Sequence, residues 1–108
     1  MKFGLKAQDL EYIIKTIAEF QEIEKAAIFG SRAKGTYKPG SDIDIALFGE
    51  SVSFNTISKL HAILEEESPM PYFFDIFDYN HSDSNDLKAH VDRVGITIYE
   101  KSGTIPSK

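Results

Sequence analysis

A glycine, a serine and two aspartates make the most chemically informative arrangement in the chain: Gly30-Ser31, ten intervening residues, then Asp42-Ile43-Asp44. A glycine at the end of an apolar run lets the backbone turn tightly and approach a ligand. A helix that starts there offers unpaired amide donors and a partial positive charge to phosphate oxygens. Ser31 adds a hydroxyl donor. Two carboxylates two residues apart on a strand share a face within a few ångströms, where their like charges repel and a divalent cation restores the balance. The chain has no cysteine, which removes disulfides, thiolate zinc sites and cysteine nucleophiles together, and the remaining oxygen ligands favour magnesium or manganese. Asp-x-Asp alone also occurs as a solvated strand end. Here an apolar strand and a Gly-Ser turn precede it, and Ile43 and Ile45 bury the other face of its strand.

The elements that must position these groups are legible from periodicity. Leu10, Ile13, Ile14, Ile17 and Phe20 recur at steps of three and four and predict a helix over residues 8–22. Residues 26–29 read as a short buried strand ended by Gly30, and Ser31 as the cap of a short helix. Residues 42–48 alternate in the strand period, with Asp42, Asp44 and Ala46 on one face and Ile43, Ile45 and Leu47 on the other, the core face. Ser51 or Ser53 caps a helix carrying Phe54, Ile57, Leu60 and Leu64, which runs into Glu65-Glu66-Glu67, a solvated helix end, before Pro69 and Pro71. Residues 72–77 form a third strand around Asp75, residues 87–94 a short helix stopped by Gly95, and residues 96–99 a closing edge strand that includes Tyr99. Residues 102–108 read as a loose tail. The order predicts an α/β (α+β) domain, a small mixed sheet flanked by helices.

A chain of 108 residues fits one domain with one core and removes roughly two-thirds of its unfolded surface from water. At 42% hydrophobic and 27% charged residues, disorder is not expected. The net charge of -5 is the wrong sign for condensing onto a phosphate backbone, which argues against nucleic acid as a partner. No segment approaches the ~20 apolar residues of a membrane span and the N-terminal residues lack a signal-peptide core, so the cytoplasm is the expected compartment.

The string GSRAKGTYKPGSDIDIAL, residues 30–47, resembles the signature of the DNA-polymerase-beta-like nucleotidyltransferases, specifically their minimal MNT domains. The leading helix, the AIFG strand, the FFDIFD strand and the closing VDRVGITIYE segment fall where that family has equivalents. The resemblance implies a mixed sheet with helices on one side, Asp42 and Asp44 as ligands of two magnesium ions, and a third acidic ligand on a later strand. Asp75 matches that position. A carboxylate between bulky apolar neighbours is costly to bury unless paired or metal-bound; the alternative is a solvated strand edge, with Asp78 as the substitute ligand. The resemblance also suggests Arg32, beside Gly30 and Ser31, as a phosphate contact, although an arginine on a short helix is as often simply solvated. Lys34 and Lys38 read as solubilising, His61 as a helix-flank residue, and His81 and His90 carry no motif.

The implied reaction is transfer of a nucleoside monophosphate, AMP from ATP, to a hydroxyl, with Asp75 also able to accept its proton. Larger relatives bind the acceptor with extra domains that this chain has no room for. By resemblance the acceptor is a tyrosine on a separate helical HEPN-type partner, and the protein an antitoxin. The competing reading is a non-catalytic subunit that neutralises its partner by binding alone, and a polymerase-like action on nucleic-acid ends is disfavoured by charge and size.

Overall fold

The computed structural model describes residues 2–68 and 70–101; Pro69 and the tail expected over residues 102–108 lie outside them. The elements are α1 (Ala7–Ala18), β1 (Lys25–Phe29), α2 (Gly30–Lys34), β2 (Ile43–Phe48), α3 (Phe54–Ala62) continued by a π-helical turn (Ile63–Glu67), β3 (Phe74–Asp78), α4 (Asn85–Val94) and β4 (Ile96–Glu100). The four strands form one mixed sheet in the order β3-β2-β1-β4. β1 runs antiparallel to β2 and β4, and β2 runs parallel to β3.

Alternation in β1 and β2 sends Ala26, Ile28, Ile43, Ile45 and Leu47 into the main core, where they meet Ile13 and Ile17 of α1 and Leu60 and Leu64 at the α3 end. α1 stops at Ala18, short of the predicted residue 22. The amides of Glu19 and Phe20 bond back only three residues, to Thr16 and Ile17, and that tightened turn drops Ile23 into the core on the way to β1. The sheet is not covered on one side only. Phe29, Ala46 and Val91 form a second buried cluster on the opposite face, with Phe48, Phe77, Tyr79 and Leu87 around it. α4 supplies that cover because its apolar face, Leu87, Val91 and Val94, needs a partner, and the Tyr79 hydroxyl fastens it by donating to Asp92 at 2.7 Å. The helix starts two residues earlier than predicted because Ser84 caps it, accepting from the Leu87 amide.

The crossover from β2 to β3 is where the sequence was least explicit. Ser53 and Thr56 form a reciprocal cap for α3, and the Thr56 hydroxyl donates to Glu22 at 2.8 Å. Thr56 therefore takes an inward position, while Phe54, placed by periodicity on the apolar stripe, is 83% exposed. The run Glu65-Glu66-Glu67 is not uniformly solvated either. Glu65 accepts the amide of Phe74 at 2.6 Å and pairs with His61 at 3.0 Å, so one acid of the three pins the first residue of β3 to the helix before it.

Replacing Glu65 by alanine leaves the Phe74 amide without that acceptor and is expected to cost about 1–3 kcal/mol in urea unfolding. Replacing His61, which removes only a partly exposed pair, should cost less than about 1 kcal/mol. Equal costs for the two would show that the Phe74 tie contributes nothing.

Candidate active site

The ladder places the acids. Asp44 stands opposite Phe29 in the antiparallel pairing and opposite Asp75 in the parallel one, so it occupies the middle of three neighbouring strands spaced about 4.8 Å apart. Phe29 leads directly into Gly30. Asp42 precedes β2 by one residue and is exposed, as is Asp75, while Asp44 is half-buried. Asp75 thus sits on an edge strand in water and beside Asp44 at once. Asp78 is three residues further on, on the opposite face, and its carboxylate is engaged by the His81 ring at 2.9 Å.

The three acids feel one another. Burial, then the charges of Asp75 and Asp42, push the Asp44 carboxyl up from 3.8 to about 6, against the opposing pull of Arg32. Among the described residues no three acidic or imidazole side chains already converge at metal-binding distances. The backbone register sets Asp75 beside Asp44 with Asp42 two residues before it, and an ion shared by all three would require their side chains to converge further. The donor chemistry fits a hard dication: all ligands are carboxylate oxygens, and their mutual repulsion around a partly desolvated centre is what a bound cation relieves.

Gly30 explains how the Gly30–Ser31 turn and the acids can be so close. Its φ is +71°, and a Cβ built there would collide with Oδ2 of Asp44. Ser31 does not cap α2 as predicted. The helix begins at Gly30, Phe29 holds the N-cap position, and no side chain caps it. The Ser31 hydroxyl makes no hydrogen bond among the described residues, and it lies one residue from the glycine that touches Asp44.

Arg32 is not the solvated arginine that was one of the two surroundings the sequence left open. It is 3% exposed. Its Nε and Nη2 donate to the Ser41 carbonyl at 3.1 and 2.7 Å, its Nη1 donates to the Phe3 carbonyl at 2.8 Å, and its guanidinium stacks between Tyr37 and Tyr72. Ser41 is the residue before Asp42. Arg32 therefore fixes the end of the loop that delivers the first acid. No local signal marks this role, because Phe3 is 29 positions away and Tyr72 forty.

Because the folded-state value of Asp44 lies above its ordinary one, the folded protein binds more protons than the unfolded chain between about pH 4 and 6. The stability from this group is complete below that window and lost as pH rises through it. Asp44→Asn in metal-free buffer should therefore be more stable than wild type at pH 7.5, by on the order of 1 kcal/mol after allowance for solvent screening of a half-exposed group. The gap should close by about pH 4. Urea titrations at both pH values check it, and no gain at neutral pH would mean that the acids are not in conflict. Arg32→Lys keeps the charge but cannot hold both carbonyls, and should cost roughly 1–3 kcal/mol by the same measurement; an unchanged midpoint would remove its positioning role.

Comparison with known proteins gives the family and the fold. The family model described as Polymerase beta, Nucleotidyltransferase matches residues 11–104. A Haemophilus influenzae protein named as a probable protein adenylyltransferase, MntA, is 32% identical over 107 residues, covering 96% of this chain and 90% of that one. Two solved structures share the fold. A toxin–antitoxin structure with AMP-PNP has a TM-score of 0.70 at 20% identity, over 92% of this chain and 77% of the other. A complex of a tri-AMPylated Shewanella oneidensis HEPN toxin with its MNT antitoxin has a TM-score of 0.69 at 19% identity, over 92% and 76%. By its glycine turn, its aspartates in register and a family match that spans most of its length, the chain belongs to the polymerase beta nucleotidyltransferase family.

Proposed function

We propose that the protein transfers AMP from ATP to a hydroxyl on a separate helical partner of the HEPN type, a tyrosine, and that it works in the cytoplasm as the antitoxin of that pair. The observation that carries this is the register that sets Asp44 beside both Asp75 and the residue leading into Gly30. The MntA relative, a probable protein adenylyltransferase, supports the reaction class, and the AMPylated HEPN toxin bound to an MNT antitoxin supports the choice of partner. No helix among the described residues is long and apolar enough to cross a membrane.

Gly30 and Ser31 hold the β and γ phosphates through backbone amides and a hydroxyl, close to the carboxylates because residue 30 has no side chain. Asp42, Asp44 and Asp75 hold magnesium, which when bound neutralises the triphosphate and lowers the proton affinity of the acceptor hydroxyl. The acceptor oxygen bonds to the α phosphorus, the bond to the bridging oxygen breaks, and pyrophosphate leaves. Asp75 takes the hydroxyl proton, since it is the exposed acid on the outermost strand. Arg32 acts at a distance, holding Ser41 and hence Asp42 in place.

Asp42→Asn with Asp44→Asn should lower AMP transfer from labelled ATP to the co-expressed partner by at least on the order of 100-fold, since even the outer supports of metal ligands are worth 10–100-fold. Mass measurement of the partner before and after ATP reads donor and acceptor together. Undiminished transfer by the double variant would sink the assignment. Magnesium-dependent ATP binding, followed by calorimetry, separates this reading from a purely neutralising subunit, which would show none.

A further inference from the structure

Phe73 is a large apolar side chain left 67% exposed at the head of β3. The amide of Ile43 donates to its carbonyl at 2.9 Å, the bond that opens the parallel ladder at the Ile43–Phe74 pair. Phe73 thus directly precedes β3 as Asp42 directly precedes β2. Burial alternates through the segment: Tyr72 packs on the core, Phe73 is exposed, Phe74 is buried and Asp75 is exposed. Phe73 and Asp75 thus share a face, about 7 Å apart along the strand. Exposure alone gives such a ring no role, since Phe54 is more exposed still; what distinguishes Phe73 is its place beside the acids.

Sheet order decides what it binds, given the transfer reaction above. The leaving pyrophosphate lies on the Gly30–Ser31 side, at the end of β1, and the acids lie on β2 and β3. In-line displacement brings the attacking oxygen from the side opposite the leaving group, across β2 to the free edge formed by β3. The ribose and base are off that axis, so only the acceptor is forced to this edge. We infer that Phe73 is the acceptor platform, packing its ring against the ring of a phenolic acceptor and so presenting a tyrosine hydroxyl to Asp75. A serine or threonine hydroxyl has no ring to pack there. The same contact sets specificity for tyrosine and places the partner along the open edge.

The test reads binding without turnover. N-acetyl-L-tyrosinamide and N-acetyl-L-serinamide are titrated by saturation-transfer NMR onto the protein loaded with magnesium and a non-transferable α,β-methylene ATP. Wild type should saturate the tyrosine ring protons and give no signal with the serine probe. Phe73→Ala and Phe73→Leu should weaken the tyrosine probe by roughly three- to tenfold, the value of an aromatic pair. Phe54→Ala, which removes the exposed phenylalanine of α3, should leave it unchanged, and nucleotide affinity by calorimetry should match wild type throughout. Undiminished probe binding in both Phe73 variants, no ring signal in wild type, or a loss confined to nucleotide affinity would each overturn the platform. The two readings fail separately: a protein that binds the phenol through Phe73 but never adenylylates its partner sinks the transfer reaction and leaves the platform. Transfer with Phe73→Ala unaffected in probe binding sinks the platform alone.

Discussion

The parallel pairing of β2 with β3 is the contact on which both fold and chemistry rest. Side chains alternate along a strand, so a slip of one residue would put Phe74 beside Asp44 on the open face and turn the carboxylate of Asp75 into the core. Several features on the core side forbid that slip. Phe74 is buried and Ile76 packs against the same cluster. The amide of Phe74 is held by Glu65, and the carbonyl of Phe73 by the amide of Ile43. A parallel pair also needs a crossover, and α3 with its π-helical turn supplies it while burying Leu60 and Leu64. The position of the third acid is thus a by-product of hydrophobic packing on the far side of the sheet.

Set against that packing is an electrostatic conflict built into the near side. Asp44 is partly desolvated with two further acids close by, and its carboxyl is pushed up accordingly. The fold tolerates this because Asp42 and Asp75 keep their own exposure to water, which screens most of the repulsion. Arg32 offsets part of the remainder. Its burial would itself be costly without partners, and the two carbonyls and two tyrosine rings around it remove that cost. One residue therefore anchors the loop and moderates the field at Asp44, and it does so without leaving the interior.

What could be read from the sequence was whatever depends on neighbours close in the chain. The strand period around Asp44 placed Ile43, Ile45 and Leu47 in the core, where all three are fully buried, and the strand and helix order emerged from similar periodicities. The second cluster under α4 did not, because Ala46 on the acid face looks like a small filler until Phe29 and Val91 meet it. The fates of Arg32, Thr56 and Glu65 are set by Phe3, Glu22 and Phe74, partners 29, 34 and 9 residues away. No window of local periodicity contains the first two pairs, and the third joins the end of one element to the start of the next. Phe54 and Phe73 were hidden for the converse reason: a phenylalanine in an apolar run is ordinarily core, and only the finished sheet shows which of two neighbours, Phe73 or Phe74, faces water.

The openness of the site is itself informative about the acceptor. Two of the three acids are exposed, and a concavity of about 870 Å³ lies instead along α1, lined by Leu5, Leu10 and Ile14. A small-molecule acceptor would normally need an enclosed pocket to be held against a reactive phosphate. Two exposed acids at the edge of a sheet do not by themselves surround such a molecule. Such a surface suits an acceptor that arrives attached to a large rigid body, whose contacts elsewhere supply the positioning that a pocket would otherwise give. On the proposed reaction the labour is divided: this chain provides the phosphate and metal chemistry, and the partner brings its own orientation.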